Sequence, residues 1–171
     1  KAGRTLQDIQ KAHAQHPEYL LGCFNRKEFC GAVFGLDQEA DLFVGELAIE
    51  TKFRGKSIGK KLMEKIEKIA RTNHKRKIYL GARDGAEEFY LKLGYKPSLF
   101  IQLHKKDRPS NFNALLKKYI VRSINERKEG SGLDIKVTLK VDKIDKNLQK
   151  KAEKEFNAYN TIFLFEKQFK N

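Results

Sequence analysis

Apolar residues recur along the chain with two different periods, and the switches between them order the elements. Leu6, Ile9 and Ala12 stand at turn spacing and predict a helix over residues 5–15, stopped by Pro17. "EYLLGCF" and "EFCGAVFG" flank the polar "NRK" and predict an antiparallel hairpin; "DLFVGELAI", residues 41–49, predicts a third strand. The period then returns to that of a helix: Ile58, Leu62, Ile66 and Ile69 form one stripe, while Lys60, Glu64, Lys68 and Arg71 hold the opposite, wet face. Glu64–Lys68 and Glu67–Arg71 fall at i,i+4 on that helix. "KIYLGA" predicts the next strand, "GAEEFYLKLGY" a short helix ended by Gly94, and "LFIQLH" another strand.

After Lys105 the character changes. "KKDRPSN" is a polar break, and Phe112, Leu115, Leu116, Tyr119, Ile120 and Ile124 then predict a helix of about four turns. "EGSG" at 129–132 predicts a turn. Ile135, Val137, Leu139 and Val141 alternate with polar residues in a strand wet on one face. Asp145 is placed to cap a helix running to about residue 157, with Leu148, Ala152 and Phe156 inward, and "TIFLFEKQF" closes the chain as a strand. Helices and strands are mixed throughout without a sequence repeat, so the expected class is α/β or α+β. The organisation expected is a core over residues 1–105 and a C-terminal, β-α-β-rich section over 106–171.

A chain of 171 residues can bury one substantial core. No apolar run approaches the roughly 20 residues that span a bilayer, and no signal-peptide pattern opens the chain, which reads as cytoplasmic with no membrane partner. It begins at Lys1 without a methionine, which leaves room for residues upstream. The formal net charge is +14. Residues 1–105 carry 20 Lys and Arg against 13 Asp and Glu, and residues 106–171 carry 16 against 9, so each part contributes +7. The excess is spread rather than gathered, which argues against a dedicated nucleic-acid surface and leaves a phosphate-bearing partner open. Cys23 and Cys30 would lie directly opposite each other if Arg26 and Lys27 formed the hairpin tip. No Cys/His spacing suggests a metal.

The chemistry gathers at "FRGKSIGKKLM", residues 53–63. Gly55-Lys56-Ser57 imitates the end of a nucleotide-binding P-loop, but that motif requires a glycine five positions earlier, where Glu50 stands. A carboxylate there repels a phosphate. The other spacing is Arg54-x-x-Ser57-x-Gly59, between a strand and a helix. Helix-opening N–H groups lack partners and carry partial positive charge, so such a turn is an anion site by construction. Gly55 and Gly59 permit close approach, and Arg54, Lys56, Lys60 and Lys61 add to the field.

This stretch resembles the acetyl-CoA signature Arg/Gln-x-x-Gly-x-Gly/Ala of the Gcn5-related N-acetyltransferase (GNAT) superfamily. "ELAIETKFRGKSIGKKLM" is similar to that family's fourth strand, pyrophosphate loop and third helix; "KIYLGARDGAEEFYLKLGYKP" is similar to its fifth strand and fourth helix. The resemblance covers roughly residues 18–105. It implies a mixed sheet splayed at its centre and flanked by helices, and acetyl-CoA as cofactor. N–H groups of Arg54, Gly55, Lys56, Ser57, Ile58, Gly59 and Lys60 would cradle the pyrophosphate. The pantetheine arm would pair with the strand edge at Leu47, Ala48 and Ile49. Tyr90 matches the family tyrosine that hydrogen-bonds the CoA sulfur and protonates the thiolate. Glu46, a carboxylate in an apolar strand, is the first choice of base, with Glu50 second and His104 third.

The chain also departs from the family. Ser57 replaces the usual glycine, Arg83 and Asp84 stand where many members place an asparagine, and the family's first strand is missing before residue 18. The section after Lys105 is longer than the final strand requires. It reads as an insertion before that strand, as a subdomain walling the acceptor site, or as the source of a strand that replaces the missing one or pairs with a neighbouring molecule. The function implied is direct acetyl transfer to a primary amine, by a monomer or homodimer; an amine carried on nucleic acid is compatible with the basic surface. The competing reading keeps the fold without catalysis, as a module binding RNA or protein.

Overall fold

The structure, a computed structural model, describes residues 5–83, 85–129 and 132–169. The chain divides into two units, Lys1–Leu80 with Glu166–Asn171, and Gly81–Phe165. The elements alternate as the mixed α/β class requires.

In the first unit, α1 (Leu6–Gln15) is opened by a capping box. Thr5 accepts from the Asp8 N–H while the Asp8 carboxylate accepts from the Thr5 N–H. Its apolar stripe is only half used: Ile9 and Ala12 are partly covered and Leu6 is exposed. The strands β1 (Leu20–Asn25), β2 (Glu28–Gln38), β3 (Asp41–Ile49) and β4 (Lys77–Gly81) lie in that order. The first three pair antiparallel, and β4 pairs parallel to β3. The helix α2 (Ile58–Thr72) buries Leu62, Met63, Ile66 and Ala70, much as its 3.6-residue stripe predicts. Gly35 lets it approach β2, since a Cβ there would meet Ile66 Cδ1 at 3.0 Å and Leu42 Cδ1 at 3.1 Å. Glu166–Phe169 return to this unit: Lys167 Nζ donates to the buried Glu67 at 2.8 Å, and the Phe169 ring lies under Arg71.

Arg26 and Lys27 form the hairpin tip as expected, with Asn25 opposite Glu28. The two cysteines are nonetheless not directly opposed. A bulge follows the Phe24–Phe29 pair, so Cys23 faces Gly31 and Cys30 is the extra residue.

In the second unit, α3 (Glu87–Lys92), β5 (Lys96–His104), α4 (Phe112–Lys118), β6 (Val121–Glu129), β7 (Gly132–Lys140) and α5 (Lys146–Glu155) follow in sequence. The last strand, β8 (Asn160–Gln168), lies beside β5, giving the order β8-β5-β7-β6. Leu99, Ile101 and Leu103 of β5 and Ile135, Val137 and Leu139 of β7 make one buried face, completed by Phe112, Leu115, Ala152 and Phe156. Asp145 caps α5 as expected, accepting from the N–H groups of Asn147 and Leu148.

One expected element is corrected. The helix read across residues 112–124 ends at Lys118, and Val121–Ile124 belong to β6. Ile120 and Ile124 are exposed, so the positions that extended the helical stripe bury nothing. Pairing of Ile124 with Val137 supplies ladder hydrogen bonds in place of a solvated helical turn. The turn expected at 129–132 falls largely outside the described residues.

A buried carboxylate ties the second unit together. Asp134 of β7, 1% exposed, accepts from Gln102 Nε2 at 2.8 Å, from His104 Nδ1 at 2.8 Å and from the Tyr159 hydroxyl. Burial pushes its carboxyl up, but the Tyr159, His104 and Gln102 hydrogen bonds outweigh that and hold it below the usual carboxylate value. A depressed carboxylate contributes stability that is fully present above its unfolded value near pH 4 and is lost as pH falls through the lower folded value. Asp134→Ala should therefore destabilise the protein by about 3 kcal/mol at neutral pH in urea unfolding, with little change in slope. Below pH 4 the gap between variant and parent should narrow.

Candidate functional site

The strand β3 outruns its neighbour. Its ladder with β4 holds only three pairs, Asp41–Lys77, Leu42–Ile78 and Phe43–Tyr79, although β3 continues to Ile49. Among the described residues no pair between the two strands follows Phe43–Tyr79. Pairing with β2 persists to Gly31–Ile49, interrupted by a bulge at which Gly45 has no counterpart. Backbone groups of successive strand residues point to alternate edges. The Glu50 N–H donates to the Cys30 carbonyl at 2.9 Å, so Glu50 and Ala48 face β2, while Leu47 and Ile49 turn theirs to the open edge. The Ile49 carbonyl there accepts from Arg54 Nε at 3.2 Å.

The chain leaves β3 through a single helical turn, Thr51–Phe53, whose Phe53 ring is buried. Two conformations that side chains avoid follow in close succession: Gly55 has φ of 76° and Ser57 has φ of 59°, and α2 starts at Ile58. Glycine meets the first requirement at no steric cost. Ser57 meets the second against preference, and its side chain makes no capping hydrogen bond. The first helical closure is Lys61 N–H to the Ser57 carbonyl at 3.1 Å, so the N–H groups of Ile58, Gly59 and Lys60 have no acceptor within the helix. Arg54, Gly55, Lys56, Ser57 and Lys60 are exposed, and Ile58 and Gly59 half-buried, so water reaches the turn. A Cβ at Gly55 would touch nothing within 4 Å. Lys56 and Lys52 lie over the Phe53 ring, Lys52 is also paired with Glu28, and Lys60 stands 3.8 Å from Glu64. Glu28 raises the Lys52 ammonium above its ordinary value.

Glu46 follows the bulge, pairs with Phe34 and is exposed, as is Glu50 at the strand end. Thus Glu46, Leu47, Ala48, Ile49 and Arg54–Lys60 all belong to the first unit. Tyr90 belongs to the second, on α3, where it is 8% exposed and packs against Phe89, Tyr95 and Phe165 with ring centroids 5.0 to 5.9 Å apart. Below it, burial pushes the Glu87 carboxyl up. The Lys146 ammonium and the N–H groups of Glu87 and Gly85 outweigh this and leave the carboxyl below its usual value. His104 ends β5, nine residues beyond Tyr95, with its ring stacked on Tyr159 and bonded to Asp134. Arg83 is described and Asp84 is not.

Two features were not expected from the residues. One is the tie from Arg54 to Ile49. The other is the bulge at Cys30 and Gly31, for which a glycine inside an apolar strand was the available signal. No group of three or more metal-ligating side chains occurs among the described residues, and no described helix is long and apolar enough to cross a membrane.

The model of the acetyltransferase (GNAT) family matches residues 2–95. Among solved structures, the chain is similar to Ard1 of Thermoplasma volcanium, with 14% identity, a TM-score of 0.50 and 81% of each chain covered. It is likewise similar to Naa50 of Arabidopsis thaliana in complex with the bisubstrate analogue CoA-Ac-MVNAL, with 14% identity, a TM-score of 0.50, and 82% of this chain and 84% of that one covered. No curated protein matches the sequence. At such identities the structures speak for the fold alone, whereas the family model spans more than half of the chain. On that match, the chain belongs to the acetyltransferase (GNAT) family.

Proposed function

We propose that the protein is an acetyl-CoA-dependent N-acetyltransferase that passes the acetyl group directly to a primary amine. The observation that carries this reading is the three-pair ladder between β3 and β4, followed at the end of β3 by the exposed, unpartnered N-terminus of α2. An open strand edge suits an amide-bearing arm, and helix-opening N–H groups suit a diphosphate. The donor set therefore fits CoA, in keeping with the bisubstrate analogue held by the Arabidopsis protein.

Bound acetyl-CoA supplies an acyl group activated as a thioester. The N–H groups from Gly55 to Lys60 hold the diphosphate, that of Arg54 being already given to the Thr51 carbonyl at 3.2 Å, and Leu47 and Ile49 offer N–H and C=O groups to the arm, beside Ala48. Glu46 accepts the proton that an ammonium must lose before its nitrogen can attack. The Tyr90 hydroxyl gives a proton to sulfur as the carbon–sulfur bond breaks, so the thiolate need not leave charged. Packing against Phe89, Tyr95 and Phe165 restricts the ring.

Acetyl-CoA at about 100 times its Kd should raise stability by about 2.7 kcal/mol, read as a Tm rise of roughly 5–10 °C. No shift at saturation would count decisively against the reading. Tyr90→Phe should lower kcat by about 100-fold, followed as free CoA thiol, while KM for acetyl-CoA stays within about twofold. Ser57→Gly should raise stability by about 0.5 kcal/mol in urea unfolding, because it relieves the left-handed backbone at that position.

A further inference from the structure

The open edge of β3 is held in place from behind. Gly31 of β2 pairs with Ile49, and Ala32 with Ala48, immediately beyond the bulge at Cys30. A Cβ built on Gly31 would lie 2.5 Å from the Ala48 carbonyl oxygen, 2.6 Å from Ile49 Cδ1 and 3.1 Å from Ile49 Cα. The Ile49 side chain could swing aside. The Ala48 oxygen and Ile49 Cα are backbone, and they cannot retreat unless the strand moves.

Gly31 is not among the glycines with positive φ, so its backbone would accept an ordinary residue. Space, not conformational freedom, demands a glycine here. Its neighbour reinforces the same contact, because the Cys30 carbonyl accepts from the Glu50 N–H as β3 ends. β2 thus lies tightly against residues 48–50, whose other side is the open edge.

We infer that Gly31 is a positioning residue for the cofactor arm: by letting the Ala48 carbonyl lie close, it sets where Leu47 and Ile49 present their outward N–H and C=O groups. The inference rests on the acetyl-CoA reading above. A methyl group at position 31 would push the Ala48–Ile49 backbone outward by roughly half an ångström, enough to misalign hydrogen bonds to an extended arm. The diphosphate turn, which begins at Arg54 and is anchored by α2, would be spared.

Dephospho-CoA and ADP share the adenosine diphosphate and differ by the pantetheine arm, so their affinities separate the two contacts. In calorimetric titrations, Gly31→Ala should weaken dephospho-CoA by about tenfold and ADP by less than about twofold. Equal loss for both ligands, or no loss for either, overturns the inference and leaves the acetyl-CoA reading intact. A parent protein that binds neither ligand overturns both. If Gly31→Ala does not fold, amide NMR of the parent decides: dephospho-CoA, unlike ADP, should shift Gly31 and Cys30 together with Leu47 and Ile49, and an unmoved Gly31 signal overturns the inference.

Discussion

Backbone polar groups cannot be left dry and unpaired without penalty, and in this protein that rule applies where β3 outruns β4. The parallel ladder stops at Phe43–Tyr79, yet β3 runs six residues farther because β2 supports it from the other side. Outward groups of Leu47 and Ile49 must then find water, a side chain or a ligand. Arg54 answers one of them by bonding the Ile49 carbonyl. A few residues later the chain repeats the situation in another form, since the opening N–H groups of α2 have no helical acceptor. Strand edge and helix end are consecutive, so the unsatisfied groups form a series: paired donors and acceptors first, then donors alone. A ligand that complements such a series carries amides at one end and a diphosphate at the other.

The packing keeps this series rigid. Gly35 brings α2 onto β2, and the buried residues of α2 fix the helix whose first turn presents N–H groups with no helical acceptor. Two bulges of the first unit lie at the open edge: Gly45 near its beginning, and Cys30 behind its end. Each adds one residue to one strand of a pair, which changes strand direction without breaking the sheet. Glu166–Phe169 also close onto α2 and β4 through Lys167–Glu67 and Lys77–Glu166, so the end of the chain braces the unit that holds the turn.

Much of this was legible in the residues, because the signals were local. The period of 3.6 over Ile58–Ile69 and the strand at 41–49 put a strand-to-helix turn where the structure has one. Asp145 revealed its helix through a side chain that can reach only nearby N–H groups. What escaped was set by partners distant in sequence. Ile120 and Ile124 carry a helical spacing, but β7 recruits that segment as a strand and leaves both residues exposed. The expectation that Cys23 and Cys30 lie opposed came from counting back from the hairpin tip, and one bulged residue moved Gly31 into that place. The reason for the glycine at position 31 lies in β3, seventeen residues away, and no count along β2 could show it.

The surplus of lysine near the turn suggests at first that side chains bind the phosphates, but their engagements argue otherwise. Arg54 bonds Ile49, Lys52 pairs with Glu28, Lys56 rests over Phe53, and Lys60 faces Glu64. Exposed charges are also screened over about 8 Å at physiological salt. Backbone N–H groups at a helix end suffer neither dilution: they are fixed in direction, lose no side-chain entropy on binding and act at hydrogen-bond distance. On the proposed reading, the exposed cations raise the local concentration of an anionic ligand, whereas the main chain determines its pose. The site can accordingly tolerate a serine at position 57, where only the backbone conformation is demanding, far better than it could tolerate a change in the path of β3 or in the start of α2.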